Sequence, residues 1–173
     1  YLYTANEAIE LGNLALAQQT TEEALRLYPD NPLVINQAGV IASHLQQHQK
    51  SREIFLSLLE SKEPLTEVSR YVTFNNIAFA NIMLDDPTLL EEADRLSAEA
   101  YQNMSWEGMI IGTRGAVLVA SGKIEEGVQL LQTSIAKLQD PKSKAVDACF
   151  IALGEIQRGN LATAQNYLDM AAR

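Results

Sequence analysis

The segment Gly12–Pro32, GNLALAQQTTEEALRLYPDNP, decides how the rest of the chain is read. It opens on a glycine, the residue that reverses a chain at positive φ with least strain. It continues through Ala, Leu, Gln, Glu and Arg, residues of high helix propensity, with the small residues Ala17 and Ala24 two helical turns apart. It closes on Asn31 and Pro32, a capping side chain followed by a proline at the first helical position. Such a segment is the second helix of a hairpin, followed by the start of the next.

Working outward, the same units recur along the chain. A glycine or alanine stands inside one helix of each unit at Ala5, Gly39, Ala78, Gly115 and Ala152, with steps of 34, 39, 37 and 37. A second small residue recurs at Ala17, Ser51, Ala93, Gly127 and Ala164, and a third series runs Ala24, Leu58, Ala100, Ser134 and Ala171. Antiparallel helices joined by a short turn approach closely only where side chains lack bulk, so these positions mark crossing points. Leu14, Leu25 and Leu27 fill the space around them in the first unit; Ile111, Leu118, Ile124, Leu131 and Ile135 do so in the fourth. Asn31–Pro32, Asp86–Pro87 and Asp140–Pro141 predict helix starts, and Gly12, Gly122 and Gly159 predict reversals. The pattern predicts ten helices at about 1–11, 13–28, 32–46, 48–62, 66–84, 88–103, 106–121, 123–139, 141–158 and 160–172.

This pattern resembles the tetratricopeptide repeat (TPR) family, which places a small residue in its first helix, Ala in its second and Pro after it. Gly12–Pro32 is a close match; GKIEEGVQLLQTSIAKL (122–138) and GNLATAQNYLDMAA (159–172) are looser copies. The resemblance implies an all-α, right-handed superhelical solenoid of five antiparallel helical hairpins. It would form a single domain over 1–173, with units at about 1–31, 32–65, 66–105, 106–141 and 142–173. The family's tryptophan position holds Tyr1, Ile35, Phe74, Ile111 and Ala148. The third unit diverges most, with extra residues near Thr66–Arg70 and at LDDPTLL (84–90).

Composition narrows the function classes. Apolar residues make up 47% of the chain, enough for a continuous core. The net charge of -9 repels phosphate backbones and anionic headgroups, so neither nucleic acid nor direct membrane insertion is expected. The single cysteine excludes an internal disulfide, and no secretory signal or membrane-spanning run is present, which points to a cytoplasmic setting. Asn103-Met104-Ser105 then reads as a chance sequon.

Stacked hairpins present their first helices on a concave face, the surface that repeat proteins use for binding. Laying the period along each first helix gives a peptide-binding groove of Asn6, Ile9, Asn36, Val40, Ser43, Asn75, Phe79, Ile82, Ala116, Val119, Cys149, Leu153 and Ile156. Apolar residues interleaved with amides suit an amphipathic helix or an extended peptide. Some members of the family grip a C-terminal carboxylate with a basic clamp, but the matching positions hold Leu2, Val72 and Asn76, so that charge is missing.

Arg114 occupies a position usually apolar in the family and should be partly buried against Glu92, Asp94 or Glu99. His44 and His48 straddle a turn and lack the glutamate of a zinc-protease motif, so they read as exposed turn residues without a metal role. Cys149 reads as a small buried hydrophobe. No phosphate loop, nucleophile signature or paired-carboxylate constellation is present, so no catalytic residue, cofactor or enzymatic activity is expected.

The function expected is therefore a protein- or peptide-binding scaffold or adaptor. The segment GTRGAVLVASGKIEEGVQLL (112–131) is also similar to tails of site-2-type membrane metalloproteases, which implies a regulatory or substrate-recruiting domain of a larger protein. Uncapped hairpins at both ends offer a third reading, a piece of a longer chain or a homo-oligomer assembling through Leu168, Ala171 and their neighbours.

Overall fold

The computed structural model describes residues 1–172, the side chain of Leu2 excepted. Among the described residues there are ten α-helices and no strand. They are α1 Leu2–Glu10, α2 Leu14–Leu27, α3 Pro32–His44, α4 His48–Leu59, α5 Glu67–Met83, α6 Leu90–Met104, α7 Gly108–Ala120, α8 Ile124–Lys137, α9 Pro141–Gln157 and α10 Leu161–Ala171. Every predicted helix is present, with ends displaced by at most three residues.

The helices fall into two compact units, Tyr1–Leu84 and Asp85–Arg173. In the first, α1 pairs with α2, α3 with α4, and α3 also lies against α1, α2 and α5. In the second, α7 pairs with α8 and α9 with α10, while α6 packs on α7 and α9 lies against both α7 and α8.

Capping chemistry sets the helix starts. Asn31 Oδ1 accepts from the backbone N–H of Leu33 at 3.0 Å and of Val34 at 3.3 Å, and Asp140 Oδ2 accepts from Ser143 N–H at 2.8 Å. Asp86–Pro87 departs from expectation. Asp86 Oδ1 accepts from the Thr88 N–H at 2.9 Å and its hydroxyl at 2.8 Å, but what it caps is a 3-10 turn, Pro87–Leu89, and α6 begins only at Leu90. The extra residues at 84–90 are absorbed there.

One slot closes the turn inside every hairpin. Gly12, Gly122 and Gly159 hold it at φ of 71°, 79° and 80°; the same slot is filled by Gln46 at 59° and Asp85 at 52°. Three turns thus use the residue without a Cβ, and two hold an L side chain in the left-handed region.

Within the α1–α2, α3–α4, α7–α8 and α9–α10 hairpins the small-residue series mark the crossings. Ala5, Gly39, Ala78, Gly115 and Ala152 are all buried, as are Ala17, Ser51, Ala93, Gly127 and Ala164. A Cβ on Gly39 would lie 2.6 Å from the ring of Phe55, which fills the space that glycine leaves. Serines at crossings do more than stay small. Ser51 Oγ donates to the Gly39 carbonyl at 2.9 Å, and Ser134 Oγ to that of Gly108 at 2.8 Å, each tying a second helix to the backbone of its first.

Candidate interaction surfaces

In the first unit α1, α3 and α5 are neighbours, and they carry most of the predicted groove residues. Asn6 is exposed; Ile9, Asn36, Val40, Ser43, Phe79 and Ile82 are half-buried. Each of the three helices thus offers an apolar side chain with part of its surface in water. Asn75 is the exception. It is buried, its Nδ2 donates to Asn76 Oδ1 at 3.5 Å, and its Oδ1 is enclosed without a hydrogen-bond partner. A carbonyl oxygen left unpaired away from water costs about 1–3 kcal/mol.

In the second unit Ala116 and Val119 are buried on α7 and present no surface to a partner. The reason is close approach on two sides. A Cβ on Gly127 of α8 would come within 2.8 Å of Val119 Cγ2, and one on Gly154 of α9 within 3.5 Å of Val119 Cγ1. Glycines at both contacts let α8 and α9 close over Val119 and turn a predicted groove residue into core. On α9, by contrast, Leu153 and Ile156 are exposed, and so is Cys149, which is not the buried hydrophobe its neighbours in sequence predict.

Arg114 is found where the period places it, with a side chain only 12% exposed. One nitrogen, Nη1, donates to Asp94 Oδ1 at 2.6 Å, to the Asp94 carbonyl at 3.0 Å and to Ser97 Oγ at 3.0 Å. Three acceptors on α6 satisfy a cation of α7, so this residue ties helices together.

The sequence reading missed Asp147. It lies on α9 at 6% exposure, where a Cβ on Gly112 of α7 would meet its Oδ1 at 2.7 Å and the Ser134 hydroxyl of α8 at 2.8 Å. Its Oδ2 has no hydrogen-bond partner. Burial pushes its pKa up to about 6, opposed by hydrogen bonding with Ser134. The only sequence signal was a glycine at 112 with no turn to explain it.

His44 ends α3 and is exposed, whereas His48 opens α4 half-buried, and loss of hydration lowers its pKa. Among the described residues no group of three or more His, Cys, Asp or Glu side chains could hold a metal ion, and no helix is long and apolar enough to cross a membrane. The side chain of Leu2, at the first clamp position, lies outside the described residues.

No family model and no curated protein matches the sequence. Solved structures do. A thermophilic TPR protein, TTC0263 from Thermus thermophilus, superposes with a TM-score of 0.73 at 18% identity, covering 98% of this chain and 87% of its own. YrrB, described as a TPR protein with an unusual peptide-binding site, gives 0.57 at 17% identity over 96% of this chain and 80% of its own. MamA gives 0.60 at 14% identity over 97% and 92%. At these identities the likeness establishes architecture.

Proposed function

Because the chain has an all-α, tetratricopeptide-type solenoid fold, we propose that it is a protein-binding scaffold that holds a peptide or an amphipathic helix of another protein, and that it is not itself an enzyme. The observation that carries this reading is the set of half-exposed side chains on the adjacent helices α1, α3 and α5, with Val40 and Phe79 among them. Apolar side chains part-way in water gain from being covered, at about 25 cal/mol per Å² of apolar area removed from solvent. Asn6 and Asn36 beside them supply amide donors and acceptors for a peptide backbone. The groove residues of the first unit that keep a surface, Asn6, Asn36, Val40, Ser43, Phe79 and Ile82, are the core of the proposal, with Leu153 and Ile156 on α9 as a separate exposed pair. The acidic balance, net -9, makes a neutral or basic segment the fitting ligand and disfavours nucleic acid.

The test is selection of a phage-displayed peptide library on the immobilised chain, followed by titration of the recovered peptides. Val40→Asp and Phe79→Asp should weaken those peptides at least tenfold while the thermal transition stays within a few degrees. Peptides that bind both variants as tightly as the parent would refute the groove reading.

A further inference from the structure

Resting on the groove reading above, we infer that the bound peptide is held extended, through its own main chain, and that its central residues carry no charge. Two side-chain amides with stranded polar ends point to this. Gln37 on α3 is 8% exposed and its Nε2 has no hydrogen-bond partner; Asn75 on α5 is 5% exposed and its Oδ1 has none. The first is a donor and the second an acceptor, on helices that pack against each other.

Both lie on the groove side of their helices. Gln37 stands one turn before Val40 and Asn75 one turn before Phe79, so each shares a face with a half-buried apolar side chain of the groove. The placement is repeated: Asn36–Gln37 recurs 39 residues later as Asn75–Asn76, the step that also separates Gly39 from Ala78.

Asn81, on the same helix as Asn75, is an amide with a structural role. It is 2% exposed, and its Oδ1 accepts from Arg52 Nε of α4 at 2.7 Å. Asn75 differs: its Nδ2 reaches Asn76 Oδ1 only at 3.5 Å, and its oxygen reaches nothing. A buried amide with an internal partner ties two helices together. One without is a cost to the folded chain that a ligand can remove.

What is lacking is an acceptor for Gln37 and a donor for Asn75. An extended chain offers both, a C=O and an N–H, at every residue. The middle of a helix offers neither, because its N–H and C=O groups are paired with one another. The terminal torsion of an amide side chain is broad, so each group turns toward a peptide at little cost. The same face sets the charge. α3 carries no Asp, Glu, Lys or Arg, and α5 carries none from Tyr71 to Met83. A charge laid between them would lose water and meet no counterion on either helix.

The experiment has a protein arm and a peptide arm. Gln37→Met and Asn75→Leu replace each amide by an apolar side chain of similar size. Without peptide, neither should lower the thermal midpoint, since what is removed is a group without a partner. A fall of several degrees in either would show an internal role for that amide and overturn the inference. The probes are capped nonapeptides recovered from a random phage library on the whole chain, each made also with alternate backbone nitrogens methylated and as a hydrocarbon-stapled helix. The unmodified peptides should bind the double variant Gln37→Met, Asn75→Leu at least tenfold more weakly than the parent. Methylation or stapling should weaken binding to the parent at least tenfold, and Asp, Glu, Lys and Arg should be absent from the peptide centres. Peptides that lose affinity for Phe79→Asp yet bind the double variant undiminished, bind better when stapled, or carry a central charge overturn this inference alone and leave the groove standing. Recovery of no peptide, or of peptides indifferent to Phe79→Asp, removes the groove reading and this inference with it.

Discussion

Gly115 and Gly127 face each other across the α7–α8 crossing: a Cβ on Gly115 would lie 2.8 Å from the Gly127 carbonyl oxygen, and one on Gly127 would lie 2.7 Å from that of Gly115. The obstacle in each direction is backbone, which cannot swing aside as a side chain can. The pair sets how close the two helices come, and that closeness lets α8 and α9 both reach Val119.

Alanine at either glycine must therefore push the helices apart. Gly115→Ala and Gly127→Ala are each expected to destabilise the chain by about 1–3 kcal/mol, against the helix-propensity gain that alanine normally brings. Urea titration checks this; an unchanged or raised midpoint would contradict the geometry.

The turn slot predicts opposite signs at two equivalent positions. Gln46 is at φ 59° and Gly122 at 79°, with nothing within 4 Å of the Cβ that Gly122 lacks. Gln46→Gly should stabilise by about 0.5–1 kcal/mol through relief of the left-handed strain, and Gly122→Ala should destabilise by about 1 kcal/mol. Because space is not at issue, both shifts report backbone conformation alone. Thermal denaturation of the two variants measures them.

Asp147 gives a pH signature. Its folded-state pKa is about 6, and an unfolded aspartate titrates near ~3.9, so the folded chain holds the proton more tightly. Its contribution to stability is complete below pH ~4 and is lost as pH rises through about 6, an expected loss of about 2–3 kcal/mol. Asp147→Asn keeps the shape and removes the titration. The stability difference between parent and variant should favour the variant increasingly from pH 4 to 7.5; a flat difference would show that the carboxyl is not held as described.

Arg114 and Asp94 predict a contrast in salt sensitivity. Arg114 is 12% exposed and gives Nη1 to three acceptors, whereas Arg26 of the Arg26–Glu23 pair is 68% exposed. Arg114→Met should cost about 1–3 kcal/mol, largely independent of salt, because it strands acceptors on α6. Arg26→Met should leave the denaturation midpoint near that of the parent, because water and salt already screen an exposed pair. Denaturation at low and high sodium chloride separates the two.

The helices were legible because their signals are local. Caps at Asn31 and Asp140, turn glycines at 12, 122 and 159, and small residues at a steady period act within a few residues of themselves, and each lies where the period places it. Asp86 misled because a proline at a first helical position serves a 3-10 turn as well as an α-helix. Arg114 was legible for a related reason, since a cation at an apolar position of a repeat needs acceptors on the neighbouring helix.

Which residues of a helix meet a partner, and which meet another helix, was not local. Period alone gives Val40, Val119 and Ile156 the same role, yet the first is half-buried, the second sealed and the third open. The difference lies in glycines on other helices, at 127 and 154, which set how near those helices come. Sequence by itself determined the repeat, its punctuation and its all-α character, because propensity and capping are properties of short segments. Only the tertiary structure decided which inner positions keep a surface and that Asp147 is buried, because both depend on distances between backbones far apart in the chain.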